Sequence, residues 1–96
     1  MSEARGSISG HRNEHHIVFY GLSTCIWCKR TRQFLEDQGV EFDFVYVDLL
    51  EGQEREEAVE QVRRWNSAVS FPTVVMDDSK CVIGYKQKEI GEALGL

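Results

Sequence analysis

Two cysteines separated by two residues, Cys25-Ile26-Trp27-Cys28, stand between a strand-like run and a helix-like segment, and that placement narrows the possible folds more than any other feature. Ile17-Val18-Phe19-Tyr20 is short, apolar, rich in β-branched and aromatic residues and bounded by Gly21, the pattern of a buried strand. Residues 26–38 have helical periodicity: Phe34 and Leu35 fall inward behind Thr31, Lys29, Arg30 and Arg32 fall mainly outward, and Gly39 ends the run. Cys25 is thus expected at the helix N-cap, where unpaired backbone N–H groups and the positive end of the dipole favour a thiolate. Cys28 falls in the first turn, where its sulfur can lie beside that of Cys25, so a bond between them opens and closes without refolding the domain. Lys29 adds positive charge that would stabilise the thiolate, with Arg30 and Arg32 just beyond. An exposed first cysteine of lowered pKa is the attacking group in thiol–disulfide exchange, and the second resolves the mixed disulfide.

The rest of the chain supplies a frame for that pair. Residues 42–47 read as a second strand ending at Asp48, and residues 53–65 as a helix with Ala58, Val59, Val62 and Trp65 on one stripe and acids in its first turn. Phe71-Pro72, holding the chain's one proline, precedes a third strand, Val74-Val75-Met76. Asp77-Asp78-Ser79-Lys80 turns the chain into a fourth, Cys81-Val82-Ile83, and residues 86–94 close it as a helix bearing Ile90 and Leu94. The order β-α-β-α-β-β-α predicts an α/β fold, a mixed four-stranded sheet with three helices distributed over both faces. Residues 1–15 are polar and aperiodic and are expected to form a disordered or loosely ordered leader to a domain spanning 16–96.

Composition excludes several classes of function. Ninety-six residues make one domain, and a net charge of -5 offers no surplus to neutralise a phosphate backbone, so nucleic acid is not an expected partner. No segment approaches the roughly 18–20 apolar residues of a membrane span, and the N-terminus has no signal-like apolar region. An odd count of three cysteines excludes a complete intramolecular disulfide framework, and the setting reads as reducing and cytoplasmic, where a short cysteine pair is catalytic or metal-binding; a monomer is expected. Zinc is one alternative for a C-x-x-C pair, but a second pair is missing, and His11, His15 and His16 read as solvated tail residues. A structural disulfide across two residues closes too small a loop to stabilise much. Cys81 reads as an inert strand cysteine, with glutathionylation or dimer formation as the other reading. Trp65 and Tyr46 are assigned to core packing, and the acids between Glu51 and Glu60 to a solvated helix face.

Tyr20-Gly21-Leu22-Ser23-Thr24-Cys25-Ile26-Trp27-Cys28 resembles the active-site segment of the glutaredoxin family, within the thioredoxin fold, and the resemblance extends over residues 16–95. It implies a dithiol–disulfide oxidoreductase reducing protein disulfides, with Cys25 as nucleophile and Cys28 as resolving thiol. The only cofactor would be the redox-active Cys25–Cys28 disulfide itself. In that family a cis-proline faces the cysteine pair; Phe71-Pro72-Thr73-Val74 occupies its place, which makes Pro72 the cis candidate and gives the Phe71 backbone the task of pairing with substrate. Trp27, Phe71, Pro72, Gly84 and Tyr85 are the implied substrate-contacting residues. The chain departs from glutathione-using members at Leu22, where a Lys or Arg is usual, and at Tyr85, where the second glycine of a Gly-Gly-x-Asp turn is usual. Ile26 stands where many members carry proline. Gly84-Tyr85 is instead similar to the glycine–aromatic turn of redoxins that serve ribonucleotide reductase and take electrons from thioredoxin reductase. The implied partners are disulfide-containing proteins and, as donor, thioredoxin reductase, glutathione or another low-molecular-weight thiol. Two alternatives remain: an iron–sulfur cluster held between subunits through the first cysteine, and a scaffold in which Cys25, Cys28 and tail histidines hold zinc.

Overall fold

A computed structural model describes residues 4–96. The elements run β1 (Arg5–Ile8), β2 (Ile17–Gly21), α1 (Ile26–Asp37), β3 (Phe42–Tyr46), a 3₁₀ turn (Val47–Leu49), α2 (Gly52–Trp65), β4 (Thr73–Met76), β5 (Lys80–Ile83) and α3 (Gln87–Leu94). Strand alternation sorts the side chains into two layers. Ile17 and Phe19 of β2 and Phe42 and Phe44 of β3 point to one face, where Cys28 and Leu35 of α1 and Ile90 and Leu94 of α3 pack on them. Tyr20 and Val45 point to the other, against Val47, Leu50, Ala58 and Val59, so α2 covers that side. All four residues of β4 are buried, as expected for a strand enclosed between helical layers.

The sheet order is β1-β3-β2-β4-β5. β2 and β3 are parallel, with α1 as their crossover, whereas β4 runs antiparallel to β2 and to β5. Gly39 carries φ +70 just beyond α1, and its N–H donates to Glu36 O while Val40 N–H donates to Leu35 O, both at 3.0 Å, which ends the helix in a left-handed cap. Asp77 and Asp78 both take positive φ at the centre of the Met76–Ser79 turn, the requirement of a type I′ hairpin turn.

The mixed α/β sheet with three helices is as expected, and the details of its edge differ. The sheet has five strands, not four, and the additional one lies in the segment expected to be a loose leader. Arg5–Ile8 pairs antiparallel with β3, matching Gly6 to Phe44 and Ser7 to Asp43, and Ser7 Oγ donates to Asp43 Oδ1 at 2.6 Å. Ile8 packs against the core. Arg12 then bridges to Val40, with Arg12 N–H donating to Gly39 O and Glu41 N–H to Arg12 O, both at 2.9 Å. His15 Nδ1 shares a 2.7 Å hydrogen bond with Asp77 Oδ2, and the His16 amide donates to Asp77 Oδ1 at 2.7 Å. Among the described residues no helix is long and apolar enough to cross a membrane.

Candidate active site

The carboxyl end of β2 is where the sequence features converge. Gly21 ends the strand under close constraint: a Cβ there would sit 2.8 Å from the Phe19 ring and 3.3 Å from Cys28 Cβ, so only glycine lets the strand pass beneath the cysteine turn. The loop 21–24 then delivers Cys25 to the α1 N-cap in an extended conformation (φ -88, ψ 121). Cys25 Sγ accepts the Cys28 amide at 3.2 Å, the bond an N-cap oxygen ordinarily makes. Both cysteines are free thiols. They differ sharply in environment. Cys25 is half-buried, whereas Cys28 is 1% exposed and packed in the core. Burial, reinforced by the hydrogen bond that the Cys28 S–H donates to Cys25 and by the nearby charges of Cys25 and Asp48, pushes the Cys28 thiol up to about 12, against the lowering effect of the Leu22 amide that reaches its sulfur at 3.5 Å.

The other expected residues gather around this pair. The Phe71–Pro72 bond is cis, and Pro72 is buried directly before β4, whose Thr73 is paired with Tyr20 of β2. Phe71 is half-buried and touches both core layers. Gly84, at φ +90, donates its N–H to Pro72 O at 2.8 Å, tying the turn after β5 to the proline. Tyr85 follows and stacks on Trp27 with centroids 5.8 Å apart and planes at 28°; the Arg30 guanidinium lies 5.1 Å from the Trp27 ring. Trp27 remains 52% exposed and Ile26 54% exposed at the rim. Lys29 is exposed on the first turn of α1, its amide donating to Cys25 O at 3.1 Å. Leu22, part-buried, accepts the Cys25 amide through its carbonyl at 3.2 Å.

Two supporting residues escaped the sequence reading. Asp48, in the 3₁₀ turn after β3, accepts the Ser23 amide at 2.9 Å and the Ser23 hydroxyl at 2.5 Å, so it holds the loop that carries Cys25. Burial alone would raise its pKa; the Ser23 hydroxyl and amide, with help from Arg55, outweigh it and hold the carboxyl below its ordinary value. Asn66, buried just past α2, donates through Nδ2 to Ser70 O at 3.0 Å, Ser70 Oγ at 2.9 Å and Thr73 Oγ1 at 3.2 Å, and so anchors the approach to Pro72. The only signal for either was a polar side chain immediately after a strand or helix.

Among the described residues no group of three or more His, Cys, Asp or Glu side chains gathers as metal ligands. His15 and His16 lie with Asp77 and Asp43 before the start of β2, at the end of that strand remote from Cys25. Cys81 is half-buried on β5, its Sγ 3.5 Å from Trp65 O, and Tyr46 packs edge-on to Phe19.

Two free thiols of unequal exposure on one helix turn are chemically suited to thiol–disulfide exchange. The glutaredoxin family pattern matches residues 17–81. The structure is similar to that of a glutaredoxin from Methanosarcina mazei (53% identity, TM-score 0.92, covering 98% of this chain and 90% of that one). It is also similar to the methanoredoxin of Methanosarcina acetivorans (49% identity, TM-score 0.86, 93% and 97% covered) and to a glutaredoxin from Archaeoglobus fulgidus (42% identity, TM-score 0.76, 82% and 85% covered). The family match spans about two thirds of the chain and includes the cysteine turn and Pro72, and the chain belongs to the glutaredoxin family.

Proposed function

We propose that this protein is a dithiol–disulfide oxidoreductase in which Cys25 is the nucleophile and Cys28 the resolving thiol. The Cys25 thiolate attacks one sulfur of a substrate protein disulfide, and the other sulfur leaves as a thiolate that takes up a proton. Cys28 then loses its proton and attacks Cys25 Sγ, the bond between Cys25 and the substrate breaks, and the second substrate thiol is released. Two electrons have passed to the substrate, and the protein is left with a Cys25–Cys28 disulfide. Thioredoxin reductase, glutathione or another low-molecular-weight thiol returns the two electrons. Substrate lies along Phe71 and Pro72, with Trp27, Gly84 and Tyr85 at its margin, and Lys29 favours the Cys25 thiolate. The odd cysteine count and short pair suit a reducing cytoplasmic compartment.

The observation that carries this reading is the asymmetry of the two thiols, half-open at Cys25 and closed at Cys28. It also supplies a sequence of events. Two of the influences that raise the Cys28 pKa, the hydrogen bond and the charge of Cys25, disappear once Cys25 is tied into a mixed disulfide. Cys28 is thus a poor competitor for external disulfides and becomes a better nucleophile when its attack is needed. Cys28→Ser is expected to accumulate a mixed disulfide through Cys25 when mixed with a disulfide-bonded protein, read by mass spectrometry, and Cys25→Ser to accumulate none. Reduction of protein disulfides by Cys28→Ser at the wild-type rate without added monothiol would sink the dithiol mechanism.

A further inference from the structure

Two stretches beside the cysteine pair are cationic in an otherwise acidic protein. Residues 25–32 and 84–88 hold five of the chain's eleven lysines and arginines and none of its sixteen acids, in a molecule of net charge -5. The stack of Trp27 on Tyr85 brings these two stretches together. Arg32 is turned away from the rim, paired with Glu36 at 3.6 Å and lying over the Phe44 ring at 4.4 Å. Lys29, Arg30, Lys86 and Lys88 are exposed, and none of them forms an ion pair among the described residues. The acids nearest the rim are each engaged or at its margin: Glu36 pairs with Arg32, Asp48 accepts the Ser23 amide and hydroxyl, Asp37 accepts from Gln33 Nε2 at 2.8 Å at the edge of a groove beside the aromatic stack, and Glu89 lies in the first turn of α3. The main block of acid, from Glu51 to Glu60, lies on α2, which covers the opposite face of the sheet.

We infer that this rim is a docking surface for acidic protein segments that carry the substrate disulfide, an inference that rests on the oxidoreductase reading above. Charge complementarity is the argument: an unpaired cationic rim on an acidic protein attracts anionic segments, turns them toward Cys25 and repels basic ones. The apolar part of the rim points to a protein segment over a small thiol. Ile26 and Trp27, each more than half exposed, flank the cysteines, and a groove of about 360 Å³ runs beside the stack, lined by Arg30, Phe34, Tyr85 and Gln87 among others. A chain of several residues covers both the aromatic platform and the groove, whereas a two- or three-carbon thiol reaches neither.

The test uses three synthetic peptide disulfides of identical length and cystine position, flanked by aspartates, serines or lysines, with reduction followed at a fixed concentration of reduced protein. At low ionic strength the acidic peptide should react about tenfold faster than the basic one, with the neutral peptide between them. The ratio should shrink toward one in about 0.5 M salt, where charges are screened within a few ångströms. Replacing Arg30, Lys86 and Lys88 together by glutamine should reduce the acidic-over-basic ratio, a readout internal to each preparation and therefore insensitive to the fraction folded. Equal rates for the three peptides at low salt would overturn the docking inference and leave the oxidoreductase reading standing. Failure of the wild type to reduce any of them would overturn that reading instead. An acid preference shown by small charged disulfides but not by the peptides would overturn the assignment to a protein segment.

Discussion

Replacing Asp48 by alanine removes both acceptors that hold Ser23, and the consequences can be worked through in two independent readouts. The first is stability. Hydrogen bonds to a charged group contribute about 1.5–3 kcal/mol each. Ser23 and Asp48 are half-buried, so water recovers part of the loss, and we expect about 2 kcal/mol in all. For a domain of this size that lowers the melting temperature by about 8–16 °C. The second readout is electrostatic. Asp48 is one of the groups that raise the Cys28 pKa, so its removal should move the Cys28 titration down from about 12. Asp48→Asn separates the two effects, because the amide oxygen still accepts the Ser23 N–H while the charge is gone: its stability loss should be smaller and its Cys28 shift similar. A carboxyl whose folded pKa lies below its unfolded value contributes stability that is fully present above about pH 4 and is lost as the pH falls through the folded pKa. The wild type should therefore lose its advantage over Asp48→Asn on acidification through that window. Asp77 is lowered as well, by His15 and His16, so the comparison with Asp48→Asn is what isolates Asp48. The assays are thermal denaturation of the reduced protein and thiolate absorbance against pH. Wild-type melting and an unchanged Cys28 titration in Asp48→Ala would refute the reasoning.

Gly21→Ala places a methyl group 2.8 Å from the Phe19 ring and 3.3 Å from Cys28 Cβ, and we expect about 1–3 kcal/mol of destabilisation in a denaturant titration. A wild-type midpoint would show that the strand shifts freely beneath the cysteine turn. Trp27 reports the redox state of the pair beside it, so its emission should rise as the oxidised protein is reduced. With Leu22 and Tyr85 in place of the usual glutathione-holding residues, recovery should be faster with thioredoxin reductase and NADPH than with glutathione, and the reverse order would oblige a different account of the Gly84–Tyr85 turn.

The parts of the fold legible in the sequence were those whose signal is local. Ile17-Val18-Phe19-Tyr20 and Phe42–Tyr46 carry their burial in their composition, Gly39 marks its helix end by a backbone conformation, and the cysteine spacing fixes both sulfurs on one turn. Strand β1 was missed because Arg-Gly-Ser-Ile has almost no apolar content: it is held by backbone groups on the edge of β3, and only Ile8 reaches the core. Asp48 and Asn66 were missed because their partners are set by the fold and leave no spacing to read. In the sequence Tyr85 is a departure from a usual glycine and an implied substrate contact. Its stacking on Trp27, across two elements far apart in sequence, required the chain to be folded before it could be seen.

The division of labour between the two thiols is the central claim, and competitive alkylation tests it most directly. Reduced protein is exposed at neutral pH to limiting iodoacetamide, and the position of each adduct is read by tandem mass spectrometry. A thiol that is 1% exposed with a pKa near 12 is almost wholly protonated and shielded, so Cys25 should be modified at least about a hundredfold faster than Cys28. Modification of Cys28 at a rate equal to or above that of Cys25 would contradict the assignment of nucleophile and resolving thiol.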